Sequence, residues 1–351
     1  MVSSRHSRMP IHIEKIRFWS TRCEPTLRPT HGRAGHVIFS ERSAVTKGQT
    51  LLTRSVRKDR KFNYTLGTKA QSETPMNPHA IHPASLVSLI RSLWRNRHLV
   101  FEMSKREVVG RYRGSILGLT WSFFHPLLML FVYTFVFSVV FKARWGTATP
   151  NSKADFAIVL FVGMIVYGLF SECVNRAPSL ILANVSYVKK VVFPLEILPW
   201  VAMGSALFHA GVNLVVLLLV QLLLNQTLPT TAVLFPLVLL PLVLGTMGVA
   251  WFVSSIGVFV RDIGQTMGIL TTIMMFLSPV FYSISSLPLT YQHWLHANPL
   301  TFVIEGARRC LIFGETPELD RWIVHVLGSL LLAWAGFWWF QKTRRGFADV
   351  L

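Results

Sequence analysis

The chain has 351 residues, of which 52% are hydrophobic and only 15% charged, against about 25% charged residues in ordinary soluble domains. That balance excludes a soluble globular enzyme and marks an integral membrane protein. The formal net charge of +19 does not point to nucleic acid: residues 1–75 hold fifteen Lys/Arg against five Asp/Glu, and the other basic residues lie mostly between apolar runs, as membrane topology demands.

Residues 1–75 are polar and basic, without sustained apolar periodicity or the apolar core of a cleavable secretion signal. They read as a disordered or non-native extension ahead of Met76, with a basic arm touching anionic lipid as the alternative. Residues 76–115 form an amphipathic interface segment expected on the cytoplasmic side. Within it, Leu86, Leu89, Ile90, Leu93, Trp94, Val100 and Phe101 share one helical face, opposite Arg91 and Arg95. Arg97 falls on the apolar side, so the helix either bends near Asn96 or lets that side chain snorkel.

Residues 116–351 supply the apolar runs. Ile116–Phe141 is long enough to cross a hydrocarbon core of about 30 Å, and the basic cluster ahead of it (Lys105, Arg106, Arg111, Arg113) puts its start in the cytoplasm. Further spans are expected at Phe156–Phe170, Val201–Leu224, Thr231–Val260, Met267–Tyr282 and Trp322–Phe340. That makes an all-α integral membrane fold of about six transmembrane helices with both ends inside. Pro236 and Pro241 are candidates to kink the fourth. Between the second and third spans, Asn175–Pro199 holds a short helix-like stretch, too brief and interrupted to cross. Between the fifth and sixth, LPLTYQHWLHANPLT and FVIEGARRCLIF read as two half-helices dipping into the outer interface, or as a folded external loop.

No G-x-x-x-x-G-K-[ST] occurs, so the chain cannot cradle ATP phosphates by a P-loop. No H-E-x-x-H, G-x-S-x-G or carboxylate cluster with metal spacing is present either. Cys23, Cys173 and Cys310 lie far apart, with neither zinc nor disulfide spacing. No catalytic residue, metal site or cofactor is therefore assigned to this chain. The charged candidates in the spans, Glu172, Glu196 and Asp262, sit near span ends, which argues against an ion pathway. Aromatic residues are the positive signal: Trp121, Phe124, Phe131 and Tyr133 in the first span, Phe276 and Tyr282 in the fifth. Sugar rings present C–H faces, so such walls can hold a glycan by stacking while letting it slide; the plainer alternative is lipid-facing Phe and interfacial Tyr/Trp. Arg111 and Arg113 could grip a lipid diphosphate, or serve topology alone. The pairs Gly114/Gly118 and Gly264/Gly268 could let helices approach closely, within one copy or between two.

Several of these segments also carry a likeness. KREVVGRYRGSILGLTWSFF followed by a proline, VKKVVFPLEILP, VRDIGQ, NPLT and the tail GFADVL occur in order between Ser88 and Leu351. In this the chain resembles permease subunits of type-2 ABC exporters that move bacterial surface polysaccharides. The resemblance implies a homodimer bound to two copies of a separate ABC ATPase, which holds the ATP and magnesium. It implies a coupling helix within Val188–Pro199 that seats on the ATPase. Val188, Lys189 and Lys190 are then coupling candidates, joined by Arg261 and Asp262 in the next inner turn, although that pair also fits a solvated turn. The implied substrate is a lipid-linked polysaccharide, O-antigen before capsule or teichoic acid, crossing the bacterial inner membrane among membrane lipids, with both chain termini cytoplasmic and no nucleic acid involved. Two rivals remain open: a type-2 exporter of drugs or small lipids, and a membrane-integral glycan ligase or acyltransferase using Glu305, Arg308, Arg309, Glu315, Glu318 or Asp320.

Overall fold

A computed structural model of the chain describes residues 85–140, 153–189, 193–226 and 228–351. The expected extension at 1–75, most of the first outer loop and Lys190 lie outside them. Among the described residues all regular structure is helical. Five helical stretches are long and apolar enough to cross a membrane: Gly118–Phe137, Phe156–Ser179, Leu195–Leu224, Thr230–Phe259 and Leu319–Val350.

Helix α1 (Leu86–Tyr112) starts at Ser85, whose hydroxyl accepts from the Ser88 amide at 3.2 Å. It does not bend at Asn96, whose side-chain amide donates to the Ser92 carbonyl at 2.9 Å. Instead Arg97 lies over the Trp94 ring, 4.6 Å from its centre. Glycines at positive φ, Gly114 (90°) and Gly118 (51°), then turn the chain into a single 3-10 turn and α2 (Trp121–Tyr133). A π-helical stretch, Thr134–Val140, follows. These two glycines have nothing within 4 Å of where a Cβ would stand, so within one copy they shape a turn and pack on no neighbouring helix.

Helix α3 (Lys153–Arg176) is the centre of the bundle. Its spanning window is 72% buried, against 17–44% for the other four, and it packs on α5 (Leu198–Asn225), α6 (Phe235–Phe259) and α9 (Pro299–Arg308). The described residues between Arg176 and α5 form single turns and the five-residue α4 (Val185–Lys189), which agrees with a segment too interrupted to span. Pro236 sits in the first turn of α6, where its missing N–H costs nothing, so only Pro241 lies in the helix interior.

The expected fifth span is α7 (Ile263–Leu277), 15 residues long, a rise of about 22 Å that falls short of a 30 Å core. It stops early because Ser278 precedes Pro279 and is held extended (φ −104°, ψ 148°). The two expected half-helices are α8 (Leu289–His296) and α9, the latter capped by Asn298. Helix α10 (Leu319–Thr343) and a terminal turn, α11 (Phe347–Val350), complete the chain.

Helices α6 and α10 form the tightest crossing. A Cβ on Gly336 would stand 2.0 Å from the Gly248 carbonyl oxygen, and one on Gly248 would stand 2.5 Å from the Leu332 oxygen. Small residues permit such contact where hydrocarbon solvent offers no hydrophobic drive. Gly336→Ala is therefore expected to cost about 1–3 kcal/mol by overpacking, read as a lower unfolding temperature of the detergent-purified protein. Gly328→Ala on the same helix, where a Cβ meets nothing, should be neutral or slightly stabilising.

Candidate functional site

Two polar networks tie α1 to the bundle, and neither was assigned from sequence. The first gathers where α6 and α10 finish and α5 begins. Glu196, in the VKKVVFPLEILP motif, is buried; its carboxylate accepts from Arg344 at 2.6 Å and from the Ser92 hydroxyl of α1 at 3.0 Å. Its backbone carbonyl accepts from the Trp251 indole of α6 at 3.0 Å. Arg344 also donates to the Phe193 carbonyl at 3.1 Å. The carboxylate is thus matched by one full charge and one hydroxyl, as a group so far from water requires. One residue of the motif holds α1, α6 and the C-terminal end together. The GFADVL tail is fixed beside it by Phe347, which packs on Phe259 and Phe340.

The second network joins α1, α3 and α5. Arg111 donates to Glu172 at 2.7 Å. His209 Nδ1 lies 3.0 Å from both Glu172 oxygens, and His209 Nε2 lies 3.3 Å from the Tyr112 hydroxyl. The imidazole thus bridges Glu172 on α3 and Tyr112 on α1. Arg176 pairs with Glu107 alongside. The charges at the ends of α1 and α3 thereby neutralise one another.

The candidate residues fall into distinct environments. Arg111 is engaged by Glu172, whereas Arg113, the C-cap of α1, is exposed and has no ion pair among the described residues. Val188 is half-buried against the core and Lys189 exposed, both in α4; Lys190 lies outside the described residues. Arg261 and Asp262 are exposed in the α6–α7 turn, on the same end of the bundle as Glu196, with no ion pair among the described residues. Trp121, Phe124 and Phe131 are exposed on α2, where Trp121 and Phe124 meet edge to face at 6.5 Å. Phe276 is exposed on α7, and the Tyr282 hydroxyl donates to its carbonyl at 3.1 Å. Tyr133 is half-buried and, like Phe137 and Phe281, packs against the cluster of Phe156, Val159 and Leu160.

The stacked pair Phe137–Phe281, with ring centres 5.9 Å apart and planes at 17°, joins the π-helical stretch after α2 to the turn after α7; Phe276 touches Phe281 at 6.0 Å. Of the six aromatic candidates, Tyr133, Phe276 and Tyr282 are brought to this junction, while Trp121, Phe124 and Phe131 stand apart on the open face of α2. Phe137 and Phe281 make the link, and no local pattern in the sequence distinguishes them from the other aromatics of those runs.

At the opposite end, α9 carries a fully buried cation. Arg308 donates to the Val159 carbonyl of α3 at 3.2 Å, the Val280 carbonyl at 3.0 Å and Glu305 at 2.8 Å. Arg309 pairs with Glu318, holding that carboxyl below the usual carboxylate range. The charges that looked like acid–base candidates for a transferase are therefore largely paired in structural contacts.

The arrangement defines a multi-pass helical membrane protein of the transporter type, with an aromatic face and charges gathered toward helix ends. The family model "ABC-2 type transporter" matches residues 98–312, and the chain belongs to that family. It is 28% identical over 268 residues, 76% of this chain and 100% of the other, to the O-antigen export system permease protein RfbA of Myxococcus xanthus. It is 25% identical to a protein of the same name from Klebsiella pneumoniae, covering 72% of this chain and 95% of the relative. The polysialic acid transport protein KpsM of Escherichia coli is 22% identical over 61% of this chain and 81% of its own length.

Proposed function

We propose that this chain is the permease subunit of a bacterial exporter that moves a lipid-linked polysaccharide, O-antigen before capsule, across the inner membrane. The observation that carries this reading is coverage. The relatives matched along 95–100% of their own length are O-antigen export permeases, and the described fold supplies a glycan with open aromatic faces and no fixed charge in the middle of the spans. The work comes from a separate ATPase, which binds ATP and magnesium. Two permease copies pair, with their termini and α4 on the cytoplasmic side.

In this mechanism ATP closure of the partner pushes on α4 and on the exposed Arg261–Asp262 turn. The Glu196 network passes the push to α1, α6 and the C-terminal end at once, because all three bond to one residue and its neighbours. Helices α2 and α7 carry wide exposed faces and are joined by the Phe137–Phe281 stack, so they are the elements free to shift. The glycan advances along the exposed rings of Trp121, Phe124, Phe131 and Phe276. Arg113, exposed and without an ion pair among the described residues, is better placed than Arg111 to meet the lipid diphosphate.

Proteoliposomes test this. ATP hydrolysis is expected only when the partner ATPase is added, and lipid-linked glycan should stimulate it. Phe276→Ala should lower the stimulated rate with little change in unfolding temperature, since that ring is 61% exposed. Hydrolysis by the purified chain alone, or stimulation by small lipids and not by glycan-bearing ones, would count against the reading.

A further inference from the structure

The α8–α9 end of the bundle holds a cavity of about 620 Å³, lined by α9, α10 and the turn after α7. Its fixed charges are balanced: Glu305 and Glu318 face Arg309 and Arg321, with His296 and His325 beside them. Thr301 lines it too, is only 1% exposed, and its hydroxyl has no hydrogen-bond partner among the described residues. A buried hydroxyl without a partner costs stability unless something bonds to it.

A second cavity of about 300 Å³ meets the first at His325. It runs between α6 and α10 from Pro241 to Val249 and from Val324 to Leu332, about 12 Å along each helix. Its walls are predominantly apolar, and glycines keep it open: a Cβ on Gly328 would meet nothing within 4 Å. At the junction the His325 ring stacks on Phe302 with centres 4.0 Å apart, and its Nδ1–H donates to the Arg321 carbonyl at 2.8 Å. His325 thus sits where a polar chamber gives way to an apolar slot.

We propose that these joined cavities are a binding site for one phospholipid with a zwitterionic head group, of the phosphatidylethanolamine type. The balanced charge decides the head: a phosphate can approach Arg321, whose side chain is 62% exposed, while an ammonium approaches Glu305, 33% exposed. Glu305 already pairs with Arg308, and Glu318 with Arg309 and Arg321, so the chamber has no spare positive charge and a head of net negative charge would bring one it cannot compensate. The slot decides that the ligand is a lipid and not a free sugar, because a sugar would leave that apolar length unfilled. With the orientation proposed above, the site belongs to the outer leaflet, away from the aromatic faces of α2 and α7.

The test reads binding without transport, so it stands apart from any failure of the exporter reading. Full-length protein stripped of lipid in detergent is titrated with phosphatidylethanolamine, phosphatidylglycerol and water-soluble glycerophosphoethanolamine, following bound lipid by native mass spectrometry. Phosphatidylethanolamine is expected to bind about tenfold more tightly than phosphatidylglycerol, the size of one charge-assisted contact. The soluble head group should bind far more weakly than the lipid. Gly328→Leu, which fills the slot where there is room for it, should lower the phosphatidylethanolamine affinity about tenfold with the unfolding temperature retained. Arg321→Glu should weaken both lipids, because both carry the phosphate, whereas Glu305→Gln should remove the preference between them. Equal binding of both lipids to the unaltered protein, an unaffected Gly328→Leu variant, tight binding of the soluble head group, or displacement of lipid by free glycan would each overturn the proposal.

Discussion

Substituting methionine for Arg308 is expected to cost about 3–5 kcal/mol, the penalty for breaking a buried ionic contact from one side. The guanidinium is fully buried and bonds to carbonyls of α3 and of the turn after α7 as well as to Glu305. Methionine fills the volume but leaves those acceptors unmatched and the Glu305 carboxylate uncompensated. Arg308→Lys should recover only part of the loss, because one ammonium cannot reproduce the planar fork. Gly163→Ala should act in the same direction, since its Cβ would stand 3.0 Å from an Arg308 terminal nitrogen and 3.3 Å from the Val280 backbone. The measurement is thermal unfolding of the purified protein. An Arg308→Met protein with an unchanged midpoint would show that the α8–α9 pair is held by apolar packing alone.

Removing Glu196 should be of similar size and should also reach function. Glu196→Ala strands Arg344, whose side chain is only 15% exposed, at a cost of about 3–5 kcal/mol. It also releases Ser92, so that α1 loses its hydrogen bond to the motif. The double variant Glu196→Ala/Arg344→Ala should be less unstable than the two single losses summed, with a coupling of about 1–3 kcal/mol. Partner-dependent ATP hydrolysis should lose its response to glycan in both the single and the double variants, because neither restores the link between α1 and the α4 segment. Strict additivity of the two substitutions would remove the network from the account.

Much of the fold could be read from the chain alone. Uninterrupted apolar runs must become helices in hydrocarbon, since no other structure satisfies their backbone locally, and α3, α5, α6 and α10 lie where those runs predicted them. The interrupted α4 segment and the α8–α9 pair were equally visible, from their turn residues and lower apolar content. The fifth run was misjudged by five residues. The stretch through Tyr282 carries no charge and is largely apolar, but the backbone restriction before Pro279 ends the helix sooner than composition implies. Of the two options for Arg97 the chain takes a ring contact with the helix continuous at Asn96, and Gly114 and Gly118 turn the chain without packing on a helix of the same copy. Periodicity reports which face is apolar, and says nothing about whether a ring will receive the odd arginine or whether a glycine is bent rather than packed.

The pairings were out of reach. Glu196 and Arg344 stand 148 positions apart, Glu172 and His209 stand 37 apart, and Arg308 reaches a carbonyl 149 positions away. In the sequence each of these is one more charge or polar group near a span end or in a loop. Hydropathy by itself determined that this protein lives in a bilayer as a bundle of helices, because the cost of exposing peptide groups to hydrocarbon acts on each segment separately. Tertiary structure alone decided which charges neutralise which, where α6 and α10 touch through glycine, and where a cavity remains, because those outcomes depend on distances between segments that no local property encodes.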